Sequence, residues 1–148
     1  MDVTHKNSPF QESQTAISSP LGPLEIRATQ GALTHIKRIR EKNHQLKESI
    51  HTAEDKKILN RAKTQLKAYF EGKRKNFDLN ISPQGTAFQC QVWQQLQKIP
   101  YAQTQSYQQV ATALKRPSAV RAIANACGAN PLLIVIPCHR VLKNDGTL

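Results

Sequence analysis

The chain has 148 residues, 39% of them hydrophobic, and a formal net charge of +11. That length buries a real core in one domain or two small ones, and no stretch approaches the ~20 apolar residues of a membrane span. No apolar signal-like region follows Met1-Asp-Val-Thr-His-Lys6, and Cys90, Cys127 and Cys138 make neither a disulfide framework nor a Cys-x-x-Cys knuckle, so a reducing, cytoplasmic compartment is expected (nuclear in a eukaryote).

Residues 1–14 are polar and read as loose. From Thr15 to Arg40 the pattern predicts an antiparallel hairpin or meander. Leu24, Ile26 and Ala28 alternate with Glu25 and Arg27, and Gly22-Pro23 and Gln30-Gly31 supply turns. The charged, aperiodic stretch 41–51 reads as a loop. Thr52 opens a helix with Asp55 as a capping-box-like partner. Ile58, Ala62, Leu66 and Phe70 recur at i+4, Leu59 and Tyr69 widen the stripe, and Gly72 ends it. The stripe is expected to cover one face of the small sheet, with the lysines on a solvated face. Turn-rich residues 73–85 read as a linker and carry the boundary between domains 1–80 and 81–148.

The second half changes style. Thr86 with Gln89 forms a capping box, and Phe88, Val92 and Leu96, with Trp93 beside them, predict a helix toward Lys98 that Pro100 ends. Ser106 with Gln109 is a second box, opening a short helix through Leu114. After Lys115-Arg116-Pro117, Ser118 precedes a third helix running to Gly128, read as a C′ glycine. Two short helices joined by a tight turn suggest a helix-turn-helix. In the third, Ala119, Val120, Ala122, Ile123, Ala124, Ala126 and Cys127 are mostly small, and Arg121 is the single charge. Such a helix can approach another surface closely with one arginine reaching in; equally, the alanines can pack a helix pair with Arg121 on the surface. Cys90 and Cys127 sit among apolar helical neighbours and read as structural. Residues 1–80 hold 15 Lys/Arg against 9 Asp/Glu, whereas residues 81–148 hold 6 against one acid, Asp145. An acid-poor half suits a phosphate backbone.

The most pointed stretch is Ile134-Val-Ile-Pro-Cys-His-Arg140. The apolar run Leu132 to Ile136 stops at Pro137, which predicts a buried extended segment ending in a turn. The turn sets the Cys138 thiol beside an imidazole and a guanidinium, and both neighbours favour the thiolate. Taken alone, the pair also fits a small buried cysteine.

Residues 85–148 resemble the O6-alkylguanine-DNA alkyltransferases (methylated-DNA–protein-cysteine methyltransferases). The motifs that carry the resemblance are Thr86-Ala-Phe-Gln-Cys-Gln-Val-Trp93, Ile99-Pro-Tyr-Ala-Gln-Thr-Gln-Ser-Tyr-Gln-Gln109, Ala119-Val-Arg-Ala-Ile123, Ala129-Asn-Pro131, Ile136-Pro-Cys-His-Arg-Val141 and Asp145-Gly-Thr-Leu148. The first half resembles the family's N-terminal domain more loosely, through Ser19-Pro-Leu-Gly-Pro-Leu24 and Tyr69-Phe-Glu-Gly72. The resemblance implies an α+β chain: an N-terminal ribonuclease-H-like domain, with a small antiparallel sheet and helix, and a C-terminal winged-helix-like domain with the helix-turn-helix.

It also implies irreversible, one-turnover transfer of an alkyl group from O6-alkylguanine (or O4-alkylthymine) in flipped-out form from duplex DNA to Cys138, without a cofactor or obligate protein partner. His139 would deprotonate Cys138 through a water, Asn130 would brace the turn, and Tyr107 would hydrogen-bond the leaving base. DNA contacts are implied at Arg121, which would fill the vacated stack, and at Tyr107, Ala119, Ala122, Ser106 and Arg140. The metal ligands that some members carry in the first domain have no cysteine counterparts here, so no metal is expected. The family pattern continues past residue 148 with a Gly/Tyr/Ser-rich loop and a helix whose glutamate orients the histidine. The C-terminal domain is therefore expected to be truncated, with weakened base recognition and a less basic His139. Two other readings are weighed against this one. A non-catalytic alkylguanine-DNA-binding protein would lack the acceptor cysteine, and a cysteine hydrolase needs a partnered histidine and a regenerating step.

Overall fold

The computed structural model describes residues 11–40 and 47–143. The expectations for residues 1–10, for 41–46 of the charged loop and for the Asp145–Leu148 motif lie outside the described residues. The chain divides into two compact units, Met1–Pro83 and Gln84–Leu148. Among the described residues, no helix is long and apolar enough to cross a membrane.

In the first unit, β1 (Ser13–Ile17), β2 (Leu24–Thr29) and β3 (Ala32–Arg38) form an antiparallel sheet in that order. Ile26 stands opposite both Thr15 and Ile36. Period-two alternation sends Leu24, Ile26 and Ala28 to the buried face. There they meet α1 (Ala53–Phe70), whose Ile58, Leu59, Ala62 and Leu66 form the opposing stripe. Each buried Leu or Ile contributes roughly 1.5–3 kcal/mol. At the end of α1, Gly72 takes φ 74°. Its N–H donates to Tyr69 O at 3.1 Å and the Lys73 N–H to Ala68 O at 2.9 Å, closing a Schellman motif.

Tertiary partners overrule three local expectations. Thr52 accepts the Asp55 N–H at 3.0 Å as expected, but the Asp55 carboxylate turns inward instead of capping in return. It accepts from Ser13 Oγ at 2.6 Å and from Gly31 N at 2.9 Å and is only 1% exposed. A buried carboxylate requires such donors. The end of the charged loop is strand-like: Ser49 and Gln14 exchange hydrogen bonds of 2.8 and 3.1 Å, and β1 begins at Ser13. The expected linker packs on the first unit as far as Ser82. Leu33 N donates to Asn80 O at 2.9 Å, Ser82 N donates to Leu33 O at 2.8 Å, and the Gln65 carboxamide clips the Asp78 backbone at 2.9 and 3.0 Å. Edge backbone of β3 finds its partners there.

A polar cluster gathers around Glu12. It accepts from Arg27 at 2.9 Å and Thr34 at 3.0 Å, with His35 at 3.5 Å. Burial raises its carboxyl pKa, but hydrogen bonds with His35, Arg27 and Thr34 outweigh that and bring it from 4.5 down to about 2.

In the second unit, both capping boxes form. Thr86 and Gln89 open α2 (Ala87–Leu96), and Ser106 and Gln109 open α3 (Tyr107–Ala113). The helix-turn-helix is completed by α4 (Val120–Gly128). Its small residues let α2 come close enough for Trp93 Nε1 to donate to Ala126 O at 2.9 Å. Gly85 makes room for the indole, since a Cβ there would sit 2.5 Å from the Trp93 ring. Ala119 stands at the N-cap of α4 without a side-chain cap bond, since its methyl offers no acceptor, and its N–H closes a turn on Arg116 O at 2.9 Å. One expectation for α4 fails. Gly128 lies in the last helical turn, and Ala129 follows as the C-cap, because the buried Ala126 and Cys127 keep that turn packed. The left-handed residue is elsewhere: Lys115, at φ 59°, occupies the C′ position of α3. The Lys115 and Arg116 N–H groups donate to Thr112 O and Ala111 O, both at 2.9 Å. Finally, β4 (Gln105–Ser106) pairs in parallel with β5 (Val141–Leu142).

Lys115→Gly should stabilise the second unit by about 1 kcal/mol by removing the Cβ penalty at positive φ, a gain measurable as a rise in melting temperature. The depressed Glu12 carboxyl contributes stability that is fully present above pH 4.5 and is lost as pH falls toward 2. Glu12→Gln should cost roughly 1–3 kcal/mol at neutral pH and flatten that acid dependence in urea titrations; parallel pH profiles for the two proteins would refute the assignment.

Candidate active site

Leu132–Ile136 is largely buried, as its composition requires, but it is not extended. Ile136 N donates to Leu132 O at 2.9 Å and Val135 N to Leu133 O at 2.8 Å, so the run doubles back. At the apex Ile134 has φ 75°, a left-handed conformation that a β-branched residue rarely adopts. Such a conformation costs on the order of 1–3 kcal/mol and persists only where surroundings over-determine it. Asn130 supplies part of those surroundings. Its Oδ1 accepts from Leu132 N at 2.9 Å and its Nδ2 donates to Ile136 O at 2.8 Å, gripping the loop at both ends.

The chain then passes Pro137, at φ −83° and ψ 66°, in an inverse γ-turn that brings Cys138 N onto Ile136 O at 2.9 Å. Cys138–Arg140 forms one turn of 3-10 helix and leads into β5. Because Gln105 pairs with Val141 and Ser106 with Leu142, the ladder carries Tyr107, the first residue of α3, toward the same turn.

The electrostatics show which groups share this corner. The Tyr107 hydroxyl is raised above its ordinary pKa by burial and by the Cys127 and Cys138 thiols. Burial, with the Cys138 thiol beside it, pushes Cys127 up to about 11, so Cys127 stays a neutral thiol at pH 7. Cys138 is half-buried. His139 reaches solvent, yet burial of part of the ring and the neighbouring Arg140 charge lower its pKa. A neutral imidazole therefore stands next to Cys138, free to take a proton.

The remaining expected site residues fall elsewhere. Ser106 Oγ caps α3, accepting from Gln109 N at 3.0 Å. Beside it an open depression is lined by Ser106, Gln108, Gln109, Thr112 and Ala113. Arg121 and Ala122 are exposed on α4, and Ala119 is half-buried at its start. Arg140, expected as a DNA contact, is engaged within the protein. It is 9% exposed, its Nη1 donates to Ile99 O at 2.7 Å, and its guanidinium lies 5.8 Å from the Tyr101 ring centroid. A buried cation needs a strong acceptor, and this one ties the Cys138 turn to Ile99, just past the end of α2. Among the described residues, no group of three or more His, Cys, Asp or Glu is arranged to hold a metal ion.

Two features escaped the sequence reading. The apolar run gave no sign of the reversal at Ile134. The electrostatic influence of Cys138 on Cys127 had one faint signal: Cys127 lies only three residues before Asn130, the expected brace of the turn. Asn130→Ala should destabilise the second unit by about 1–3 kcal/mol, the cost of leaving the Leu132 N–H without its partner and the Ile136 C=O with only the Cys138 N–H, as read by chemical denaturation.

Comparison with known proteins covers both units. Residues 14–83 match the ribonuclease-like domain of 6-O-methylguanine DNA methyltransferase, and residues 87–148 match its DNA-binding domain. The methylated-DNA–protein-cysteine methyltransferase of Methanosarcina barkeri is 40% identical over 132 residues, covering 89% of this chain and 83% of that protein. The constitutive enzyme of that name from Bacillus subtilis is 40% identical over 136 residues, covering 90% of this chain and 82% of that protein. The structure of Mycobacterium tuberculosis OGT in complex with DNA superposes with a TM-score of 0.77 at 35% identity, over 89% of this chain and 79% of that one. With both domain models matched in order and relatives this similar across most of their length, the chain belongs to the methylated-DNA–protein-cysteine methyltransferase family.

Proposed function

We propose that Cys138 is the acceptor thiol in the family's reaction, direct-reversal DNA repair in which an alkyl group passes from DNA to a protein cysteine. The substrate is O6-alkylguanine, or O4-alkylthymine, in duplex DNA. The observation that carries the reading is the braced turn: of the three cysteines, Cys138 alone sits on it, with a neutral imidazole as its neighbour. Cys127 stays protonated, with a pKa of about 11, and Cys90 lies on α2 with its Sγ 3.9 Å from Gly85 O.

In this mechanism His139 takes the Cys138 proton through a water, and the thiolate attacks the alkyl carbon. The S–C bond forms as the C–O bond breaks, and the electron pair returns to the base. Tyr107 keeps its proton, since its pKa is raised, and stabilises the departing base by hydrogen bonding. The product is a thioether with no easy hydrolytic exit, so each chain reacts once. The reaction balances without a cofactor. Reaching the alkylated oxygen requires the base to leave the stack at a cost of a few kcal/mol. The exposed Arg121 offsets part of that by entering the gap, with Ala122, Ala119 and Ser106 allowing close approach of the duplex.

Incubation with duplex DNA carrying O6-methylguanine should add one methyl group in place of one proton, saturate at one per chain, and map by peptide mass to Cys138. Cys138→Ala should abolish the gain and keep DNA binding. A methylated Cys138→Ala chain would overturn the acceptor assignment, and an unmodified wild-type chain that still binds the duplex would favour a non-catalytic DNA-binding role.

A further inference from the structure

We infer that Ile134 is a positioning residue for the acceptor: its buried side chain pins the reversed loop that aims the Ile136 carbonyl at the Cys138 amide. The inference rests on the reading of Cys138 as the reacting thiol. The Ile136 carbonyl receives two donors, Asn130 Nδ2 at 2.8 Å and Cys138 N at 2.9 Å. With both lone pairs engaged, its direction is set by Asn130, and it in turn sets the residue that bears the thiol. That direction exists only while the chain reverses at Ile134. If Ile134 relaxed to the extended conformation its side chain prefers, the peptides beyond it would rotate. The bonds from Val135 N to Leu133 O and from Ile136 N to Leu132 O would open, and the Ile136 carbonyl would swing away from Asn130.

A turn needed only as a connection would be made without strain by glycine. Instead the position at φ 75° holds an isoleucine that is buried, only 8% exposed. What glycine cannot supply is the anchor. The strain is tolerated because burial of the side chain holds the backbone where the hydrogen bonds need it. An anchored turn keeps the Cys138 thiol in one place before DNA arrives, and a displacement of ~1 Å at a reacting atom can cost about a hundredfold in rate.

The test measures single-turnover methylation of Cys138 at saturating O6-methylguanine duplex, by intact mass with peptide mapping, and duplex affinity by fluorescence anisotropy. Ile134→Gly and Ile134→Ala remove the anchor and should slow transfer at least about tenfold, while affinity stays within about threefold. Ile134→Val keeps a branched, buried side chain and should restore the rate to within about threefold of wild type. A Gly or Ala variant that is folded by circular dichroism and reacts at the wild-type rate overturns the inference. If neither folds, amide exchange in the wild-type chain decides. Protection of Val135, Ile136 and Cys138 equal to that of α4 supports the pinned loop, and rapid exchange there overturns it. The two failures are distinguishable, because a wild-type chain that gains no methyl at Cys138 refutes the acceptor assignment itself.

Discussion

The carboxamide of Asn130 holds the second unit's chemistry in place. It offers one acceptor and one donor a fixed distance apart, and the loop from Leu132 to Ile136 presents the matching N–H and C=O. An ionised aspartate has no donor for Ile136 O, and glutamine carries its amide one methylene further out. Because Asn130 N also bonds Cys127 O at the end of α4, the clamp is anchored in that helix. The turn that carries Cys138 therefore inherits the rigidity of whatever holds α4.

What holds α4 is close packing made possible by small side chains. Trp93 fills the space between α2 and α4 and spends its one N–H on Ala126 O, an approach that larger residues on α4 would block. Gly85 completes the cavity for the indole, and Arg140 ties the far end of the turn back to Ile99 at the foot of α2. The turn that carries the thiol is thus held from two sides, by Asn130 just past α4 and through Arg140 to Ile99 just past α2. The Arg140 bond is buried and the Asn130 bonds are partly so, and breaking either tie leaves a polar group without that partner, which makes the arrangement stiff.

Burial sets Cys127 apart from the thiol on the turn. Burial keeps Cys127 protonated, while Cys138 stands half-exposed beside an imidazole that burial and Arg140 keep neutral. Arg140 thus acts twice, as a tie within the frame and as a charge next to His139. The first unit shows the same economy: Asp55 caps nothing in return for Thr52 and instead joins β1, the β2–β3 turn and α1 through buried hydrogen bonds.

Sequence by itself determined whatever depends on period and near neighbours. The alternation around Leu24, Ile26 and Ala28, the i+4 stripe from Ile58 to Leu66, and the Thr86 and Ser106 capping boxes are each written within a few residues, and each is present. The motifs around Cys138 were legible too, because a Pro-Cys-His-Arg turn is a local object. Tertiary structure decided where polar groups find partners and where the backbone departs from its own preference. Asp55 meets Ser13, Arg140 meets Ile99, and the β-branched run at Ile134 is bent back by Asn130, none of which a local pattern contains. The physical reason is one of scale. Propensities and caps are worth about 1 kcal/mol and act over one turn. A buried carboxylate, guanidinium or amide without a partner costs more than that, so distant partners overrule local preference wherever the chain closes on itself.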